Sequence, residues 1–427
     1  MVKKSFKKCE FAINGLHFKY LPASGRWDFG RQRQGLEPQL LDFLSGEGVG
    51  RKKTGPDSHT TVTIFLTTRC NLRCSYCWNS QCKKEDMSLV TAQGIWKYLK
   101  KSILSDDRRK IELAFYGGEP LLNPLVLEFF LDRLWQLNKK QKNRFSLVIY
   151  SNGTIIDRKL LEKFSRFKDK DYQISIDGNK FEHDRDRCGS WHKVVNNLKY
   201  IDRVGISRSA HPMIAYPYRF IEAYKNLVSL NFSFMWMQSF SYPVYRLGET
   251  LKIDVKLWAK NYLAFCDFYL DELKRGTAVF VMPLLGALRK YLFIGAGTTA
   301  LCAGGGQNYL AIAVNGEIYP CVIAAGLNKF QVGEVVGGCD VKAVKEFVGF
   351  IERKTQLKGK CVRCPISLYC HRSCSGHCFQ AERLPDPLCE LLLKQFQIEI
   401  YFFRRLFREC PNLAREMLRK EGVKLAV

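Results

Sequence analysis

"TTRCNLRCSYCWNS" (residues 67–80) places Cys70, Cys74 and Cys77 on one short stretch, separated by three and then two residues. Three thiolates on a tight loop can converge on a single ion or cluster. A closed structural zinc site takes four ligands. The nearest further thiol here is Cys82, and no histidine stands close by. An iron–sulfur cube also normally takes four thiolates, so three would leave one iron open to another ligand. The spacing alone leaves both readings standing.

The flanking sequence supplies the architecture. Short apolar, β-rich runs occur at "TVTIFLTT" (61–68), "IELAFYGG" (111–118), "FSLVIYSN" (145–152), "YQISID" (172–177), "AHPMIAY" (210–216) and "FSFMWMQ" (232–238). Between them lie stretches such as 88–104, 123–140 and 190–204, whose apolar positions recur every three or four residues, as amphipathic helices require. Strands alternating with helices predict parallel pairing with right-handed crossovers. The expected fold is therefore α/β, a partial (β/α)6 TIM-like barrel over residues 59–290. In such barrels the reactive groups stand in the loops that follow the strands. By that rule the cysteines follow the first strand, Gly117-Gly118-Glu119-Pro120 the second, Ser151-Asn152-Gly153 the third and Asp177-Gly178 the fourth.

With those strand ends in view, "CNLRCSYC" resembles the signature of the radical S-adenosylmethionine enzymes, where three cysteines hold a 4Fe–4S cluster. The resemblance covers residues 61 to about 240. It implies that S-adenosylmethionine chelates the remaining iron and is cleaved to a 5′-deoxyadenosyl radical, which abstracts hydrogen from the substrate. "GGEP" resembles the family's motif for the methionine amino group, matching Gly117, Gly118 and Glu119. Tyr76 matches the position beside the adenine, and "SNGT" and "SIDG" match strand ends that hold ribose and carboxylate, with Ser151, Asn152 and Ser175. Arg187, in "HDRDRCGS" (183–190), is the candidate for the methionine carboxylate, with a plain surface ion pair as the alternative.

Beyond residue 300 the strand–helix alternation stops and cysteines accumulate. "NGEIYPC" (315–321) reads as a hairpin with an Asn-Gly turn. "CVRCPISLYCHRSC" (361–374) has gaps of two, five and three; from composition, a pair of zinc ribbons is one explanation. The order of gaps also resembles the SPASM domain of radical enzymes that act on peptides, over residues 291–400. That resemblance implies two auxiliary 4Fe–4S clusters, three clusters in all. One would take Cys361, Cys364, Cys370 and Cys389, the other Cys302, Cys321 and Cys374. Cys378 and Cys339 are candidates to complete the second, or its fourth iron is open to substrate.

Composition bounds the rest. A chain of 427 residues, 46% hydrophobic and 25% charged, has the makeup of a soluble globular protein with two or three units. No apolar run is long enough to span a bilayer and no secretory signal is visible, so a cytoplasmic location without membrane contact is expected. Seventeen cysteines in such a compartment favour metal over disulfide chemistry. The net charge of +26 suits an acidic partner, and nucleic acid is the weaker alternative. Residues 1–58 read as a hairpin turning at Asn14-Gly15, a helical 37–44 and a linker at 45–58, an accessory domain suited to capturing a leader peptide as an added strand. "CELLLKQFQIEIYFFRRLFREC" (389–410) reads as a long amphipathic helix, and residues 401–427 are assigned to a C-terminal helix.

The function this implies is modification of a ribosomally made peptide, by thioether or carbon–carbon cross-linking or by epimerisation. A flavodoxin- or ferredoxin-type protein would donate the electron. Sulfatase-maturing enzymes share the architecture but place an aspartate directly after the cysteine of the "YPC" segment, where this chain has Val322. Cys82, Cys188 and Cys266 are the unassigned thiols that epimerisation would draw on as hydrogen donors. A zinc-rich nucleic-acid-binding protein is the competing class, and it gives "GGEP" no role.

Overall fold

The protein is described by a computed structural model over residues 9–13, 16–21, 26–28, 59–77, 79, 82–105, 110–139, 145–238, 253–282, 284–287, 309–355, 359, 361, 364, 366, 370 and 386–420. The Asn14-Gly15 turn, the helical reading of 37–44, the linker at 45–58, and Cys302, Cys374 and Cys378 lie outside these residues.

Near the N-terminus, β1 (Cys9–Ile13), β2 (Leu16–Leu21) and β3 (Arg26–Asp28) form an antiparallel three-stranded sheet, with Ile13 opposite Leu16 as a two-residue hairpin requires. The main sheet holds β4 (His59–Thr67), β5 (Lys110–Gly117), β6 (Phe145–Ser151), β7 (Asp169–Ile174), β8 (Arg208–Ala210) and β9 (Phe234–Trp236), paired in parallel and in chain order. These are the six expected strands. A seventh parallel strand, β10 (Phe280–Met282), pairs with β9 and extends the arc. Sequence reading registers it only as part of an apolar run, because three residues are too few to show an alternation.

On the other side of β4 the sheet continues. Strand β11 (Tyr309–Ile312) pairs with β4 in parallel, and β12 (Glu317–Tyr319) folds back on β11 through the expected Asn315-Gly316 turn, where Gly316 takes φ +92°. Short β13 (Gly333–Glu334) and β14 (Gly338–Cys339) complete the antiparallel edge. Among the described residues the sheet does not close, with β10 and β14 at its two ends.

The connections are α1 (Leu89–Tyr98), α2 (Pro124–Asn138), α3 (Arg158–Ser165), α4 (Lys180–Asp186), α5 (Trp191–Arg203), α6 (Phe220–Ser229) and α7 (Val255–Arg275), followed by α8 (Val341–Thr355), α9 (Asp386–Glu409) and α10 (Pro411–Lys420). Ser88 caps α1 by accepting the Thr91 N–H, and Asp157 caps α3 by accepting that of Leu160. Alternation along the strands separates two faces. Val62, Ile64, Leu113, Phe115, Leu147, Ile149 and Ile174 are buried with Phe130, Leu134, Leu160 and Phe164 of the helices. The intervening positions carry Thr63, Tyr116, Tyr150 and, on β11, Tyr309; the Tyr116 and Tyr150 rings meet edge to face at 5.3 Å, and Thr63 Oγ1 lies 2.9 Å from Tyr309 Oη. The second face is therefore lined by hydroxyls and aromatic rings, chemistry suited to a ligand chamber.

Helix α9 packs along α7, joined by the Arg405–Asp267 and Lys274–Glu409 ion pairs and by Tyr269 against Phe402. Helix α9 matches the long amphipathic helix read at 389–410 and runs unbroken across 400/401 to Glu409, because Tyr401, Phe402, Phe403 and Leu406 carry on its buried stripe.

Candidate active site

The cysteine loop leaves the sheet at a bulge. Between Phe65 and Thr67 the register of β4 against β5 shifts, so that Phe65 faces Tyr116 and Thr67 faces Gly117. Bulges re-aim the chain at sheet rims, and this one stands three residues before Cys70. The segment after β5 clasps the outgoing strand. Gly118 N–H donates to Thr67 O at 2.9 Å and Glu119 N–H to Arg69 O at 2.8 Å. That approach is open only to glycine: a Cβ on Gly117 would fall 2.0 Å from Thr67 O, and one on Gly118 2.1 Å from Arg69 O. Gly117 in addition has φ +144°.

Glu119 is wholly buried and turned to the protein itself. Its carboxylate accepts from Ser151 Oγ at 3.0 Å, from Asn152 N–H at 2.7 Å and from Leu121 N–H at 3.2 Å. Burial pushes its pKa up to about 7 against those hydrogen bonds. The second and third strand ends are thereby tied through one carboxylate. Asn152 carries the tie to the cysteine loop: its side-chain amide donates to Asn71 Oδ1 at 2.8 Å and to Cys70 Sγ at 3.6 Å, while its oxygen accepts from Thr154 N–H and Oγ1. Asn71 and Thr154, themselves joined at 2.8 Å, belong to this brace. Sequence reading passed over both residues.

The fourth strand end contributes charge. Asp177 Oδ2 accepts from Tyr76 Oη at 2.7 Å and from Arg187 Nε at 2.8 Å, and Asp177 Oδ1 from Met213 N–H at 2.8 Å. The Arg187 guanidinium lies 5.2 Å from the centre of the Tyr76 ring. Only 7% of Arg187 is exposed, which corrects the alternative of a surface pair: the ion pair exists, but it is buried beneath the cysteine loop. Burial disfavours the Arg187 charge, and Asp177, Tyr76 and Cys74 more than offset it, so its pKa is raised. His183 completes the floor. Its Nδ1 accepts the Asp177 N–H at 3.2 Å, which leaves Nε2 to carry the proton toward Ser190 Oγ at 2.9 Å. Burial pushes this imidazole down to about 4, so it is neutral at physiological pH. Ser175 is held at the same rim by its N–H on Ser151 O, at 2.8 Å.

The three thiols sense one another. Burial pushes Cys74 up to about 12, opposed by Arg187 and reinforced by Cys77 and Cys70. Cys70 is raised by burial against the Leu72 N–H and the Asn152 amide, which both point at its sulfur. Thiolate ligands must be deprotonated, so loading a cluster here releases protons. Two N–H···S contacts on Cys70 and a guanidinium beside Cys74 stabilise the charge that would then develop. The donor set thus fits three-thiolate ligation of a cluster.

The remaining cysteines are distributed elsewhere. Cys82 donates its N–H to Asn79 O. Exposed Cys188 accepts the Arg73 N–H on its sulfur at 3.2 Å, against the outside of the cysteine loop. Cys266, 1% exposed on α7, is sealed in the core and cannot reach a substrate. Cys321 lies just past β12, Cys361, Cys364 and Cys370 on a short stretch before α9, and Cys389 in the first turn of α9. Cys339 lies on β14, 3.3 Å from Tyr98 Oη.

Residues 64–230 match the model of the Radical SAM superfamily. The chain carries a radical SAM domain. Among curated relatives, the cysteine-type anaerobic sulfatase-maturating enzyme of Clostridium perfringens is 25% identical over 71% of this chain and 85% of its own length. Mycofactocin maturase MftC of Mycobacterium ulcerans is 24% identical over 78% and 89%. The uncharacterized protein MJ0907 of Methanocaldococcus jannaschii is more similar, at 37%, but the match spans only 29% of this chain and 40% of that protein. Among solved structures, anSMEcpe with bound AdoMet superposes with a TM-score of 0.65 at 22% identity, over 85% of this chain and 97% of that one. Streptococcus suis SuiB bound to S-adenosylmethionine gives 0.57 at 15%, over 78% and 77%. The radical SAM fold is thereby established. The domain implies a 4Fe–4S cluster and S-adenosylmethionine as cofactors. No described helix is long and apolar enough to cross a membrane.

Two outcomes follow from the clasp and the floor. Gly118→Ala forces a methyl group against a backbone carbonyl and is expected to destabilise the protein by roughly 3 kcal/mol in urea denaturation, whereas Gly337→Ala, with open space around it, stays within about 0.5 kcal/mol. For His183 the folded pKa lies below the unfolded one, so its contribution is complete above about 6.5 and is lost as the pH falls toward 4. Glu119, raised to about 7, acts in the opposite sense, losing its contribution as the pH rises from 4.5. The stability difference between wild type and His183→Gln isolates the histidine, and it should shrink between pH 6.5 and 4.

Proposed function

We propose that this enzyme is a radical SAM maturase of the SPASM type that modifies a ribosomally made peptide, by thioether or carbon–carbon cross-linking or by epimerisation. The observation that carries the reading is the convergence of four consecutive strand ends on the Cys70–Cys77 loop, with the charged floor of Asp177, Arg187 and Tyr76 beneath it. When bound, the cluster and S-adenosylmethionine supply chemistry able to remove hydrogen from unactivated carbon. The chain's own residues hold and orient. Cys70, Cys74 and Cys77 would ligate the cluster, the backbone around Gly117 and Gly118 fixes the loop, Tyr76 would stand beside the adenine, and Ser151, Asn152, Ser175 and Arg187 would border the ribose and carboxylate.

Three clusters are proposed in all. The auxiliary pair would be held by Cys361, Cys364, Cys370 and Cys389, and by Cys302, Cys321 and Cys374. For completing the second set, Cys378 is the better candidate, since Cys339 is engaged with Tyr98 at the sheet's far edge. A cross-link removes two hydrogens from the peptide: one would leave as the abstracted hydrogen atom, the other as a proton and a single electron, for which auxiliary clusters would give an exit. The likeness to a sulfatase-maturating enzyme supports the same handling of a polypeptide, but formylglycine formation would need a base where Val322 packs against the core. The β1–β3 sheet offers an edge for an acidic leader, consistent with the basic charge of the chain. A flavodoxin- or ferredoxin-type donor would supply the electron.

Anaerobically purified enzyme should hold about twelve irons per chain, and the Cys70→Ala/Cys74→Ala/Cys77→Ala variant about eight. That variant should form no 5′-deoxyadenosine from S-adenosylmethionine; continued formation would contradict the ligand assignment. Co-expression with short neighbouring reading frames, followed by mass spectrometry, separates the reactions. Loss of a hydrogen pair marks cross-linking, and unchanged mass with altered stereochemistry marks epimerisation.

A further inference from the structure

We propose that Asn152 is a positioning residue of the cluster itself: its side-chain N–H donates to the Cys70 sulfur and thereby raises the reduction potential of the cluster held by Cys70, Cys74 and Cys77. The inference rests on the cluster assignment proposed above, and it gives this residue a task other than contact with S-adenosylmethionine.

The geometry commits the Asn152 side-chain amide to the cysteine loop, beside the border of the S-adenosylmethionine site. Its backbone N–H is taken by Glu119 Oε2 at 2.7 Å, and its side-chain oxygen by Thr154 N–H at 2.9 Å and Thr154 Oγ1 at 2.6 Å. With the oxygen so occupied, the amide nitrogen must face the cysteine loop. There one N–H reaches Asn71 Oδ1 at 2.8 Å and the other Cys70 Sγ at 3.6 Å, the latter distance normal for a sulfur acceptor. The two acceptors also fix which end of the amide is nitrogen. A second donor, the Leu72 backbone N–H, reaches the same sulfur at 3.4 Å. Asn152 is buried, so its dipole acts in a poorly screened setting.

The direction of the effect follows from charge. A reduced cluster carries one more negative charge than an oxidised one, and a donor aimed at a ligating sulfur stabilises the reduced form more. Removing the donor should make reduction harder. Glu119 supports the arrangement from behind by accepting the Asn152 backbone N–H, and Ser151 by donating its hydroxyl to the Glu119 carboxylate; neither touches the sulfur.

The test is a redox titration of anaerobically reconstituted enzyme without S-adenosylmethionine, following the reduced cluster by electron paramagnetic resonance in a background where Cys361 and Cys321 are replaced by Ala to silence the auxiliary sites. Asn152→Asp keeps the acceptor for Thr154 but loses the N–H and adds charge. Asn152→Ser is neutral and too short to span to the sulfur. Both should load iron at this site, and at a fixed donor potential the ratio of reduced to oxidised cluster should fall about tenfold, a shift of about 59 mV to more negative potential for one electron. Asn197→Ala removes an amide that holds the neighbouring Gly153 carbonyl without touching Asn152 or the cysteine loop, and its midpoint should match the parent's. Unshifted midpoints in both loaded Asn152 variants, or an equal shift in Asn197→Ala, would overturn the proposal while leaving the cluster assignment intact. Absence of a reducible cluster from the parent would overturn both.

Discussion

Two backbone hydrogen bonds, from Gly118 to Thr67 and from Glu119 to Arg69, determine where the cysteine loop leaves the barrel. They form only because neither Gly117 nor Gly118 has a side chain, and they act just after a bulge that has already turned the chain. From that clasp the rest of the site is built in sequence. The Glu119 carboxylate reaches to Ser151 and Asn152, Asn152 reaches to Asn71 and Cys70, and the loop so held sets Tyr76 over Arg187. Three thiols on a flexible loop would have to be ordered at the moment of binding; here much of that conformational entropy is removed by folding.

The Asp177–Arg187 pair has a cost and a use. Taking two charges out of water is unfavourable unless every lone pair and proton is satisfied. Asp177 meets that condition with donors from Tyr76, Arg187 and the Met213 backbone. The result is a fixed positive charge next to Cys74 that does not depend on pH, with the neutral His183 behind it. A site that must hold an anionic cluster and a zwitterionic ligand benefits from a cation that neither titrates nor moves. The inner face of the sheet, with its tyrosines and threonines, contrasts with the packed interior of a complete (β/α)8 barrel and leaves polar groups for a guest.

How much of this the sequence discloses depends on whether a signal is local. The cysteine spacing, the glycines after the second strand and the alternation of β-runs with amphipathic stretches are each contained in a few consecutive residues, and six strands appear in the order read, although the fourth lies three residues earlier and the fifth, Arg208–Ala210, shares only Ala210 with the run read at 210–216. What escaped was set by long-range pairing. Strand β10 is too short for a period, and β11 joins β4 across nearly 250 residues of chain. That the Glu119 carboxylate is buried against Ser151 and Asn152 is not visible in its motif, because no spacing rule connects those residues to it. Asn71 was legible only as a neighbour of Cys70; its partner Thr154 lies on another loop. Arg187 is conspicuous in the sequence as a charge, but whether that charge is exposed or buried is a tertiary fact.

Taken together, the clasp, the amide brace and the charged floor present three cysteines with no fourth in the loop's hold, and the account assigns the open position to S-adenosylmethionine. The most direct test is electron–nuclear double resonance on the reduced enzyme with S-adenosylmethionine isotopically labelled at its amino nitrogen and its carboxylate oxygens. Hyperfine coupling from both labels to the cluster held by Cys70, Cys74 and Cys77 is the predicted result. A loaded, reduced cluster that shows coupling to neither label would contradict the account.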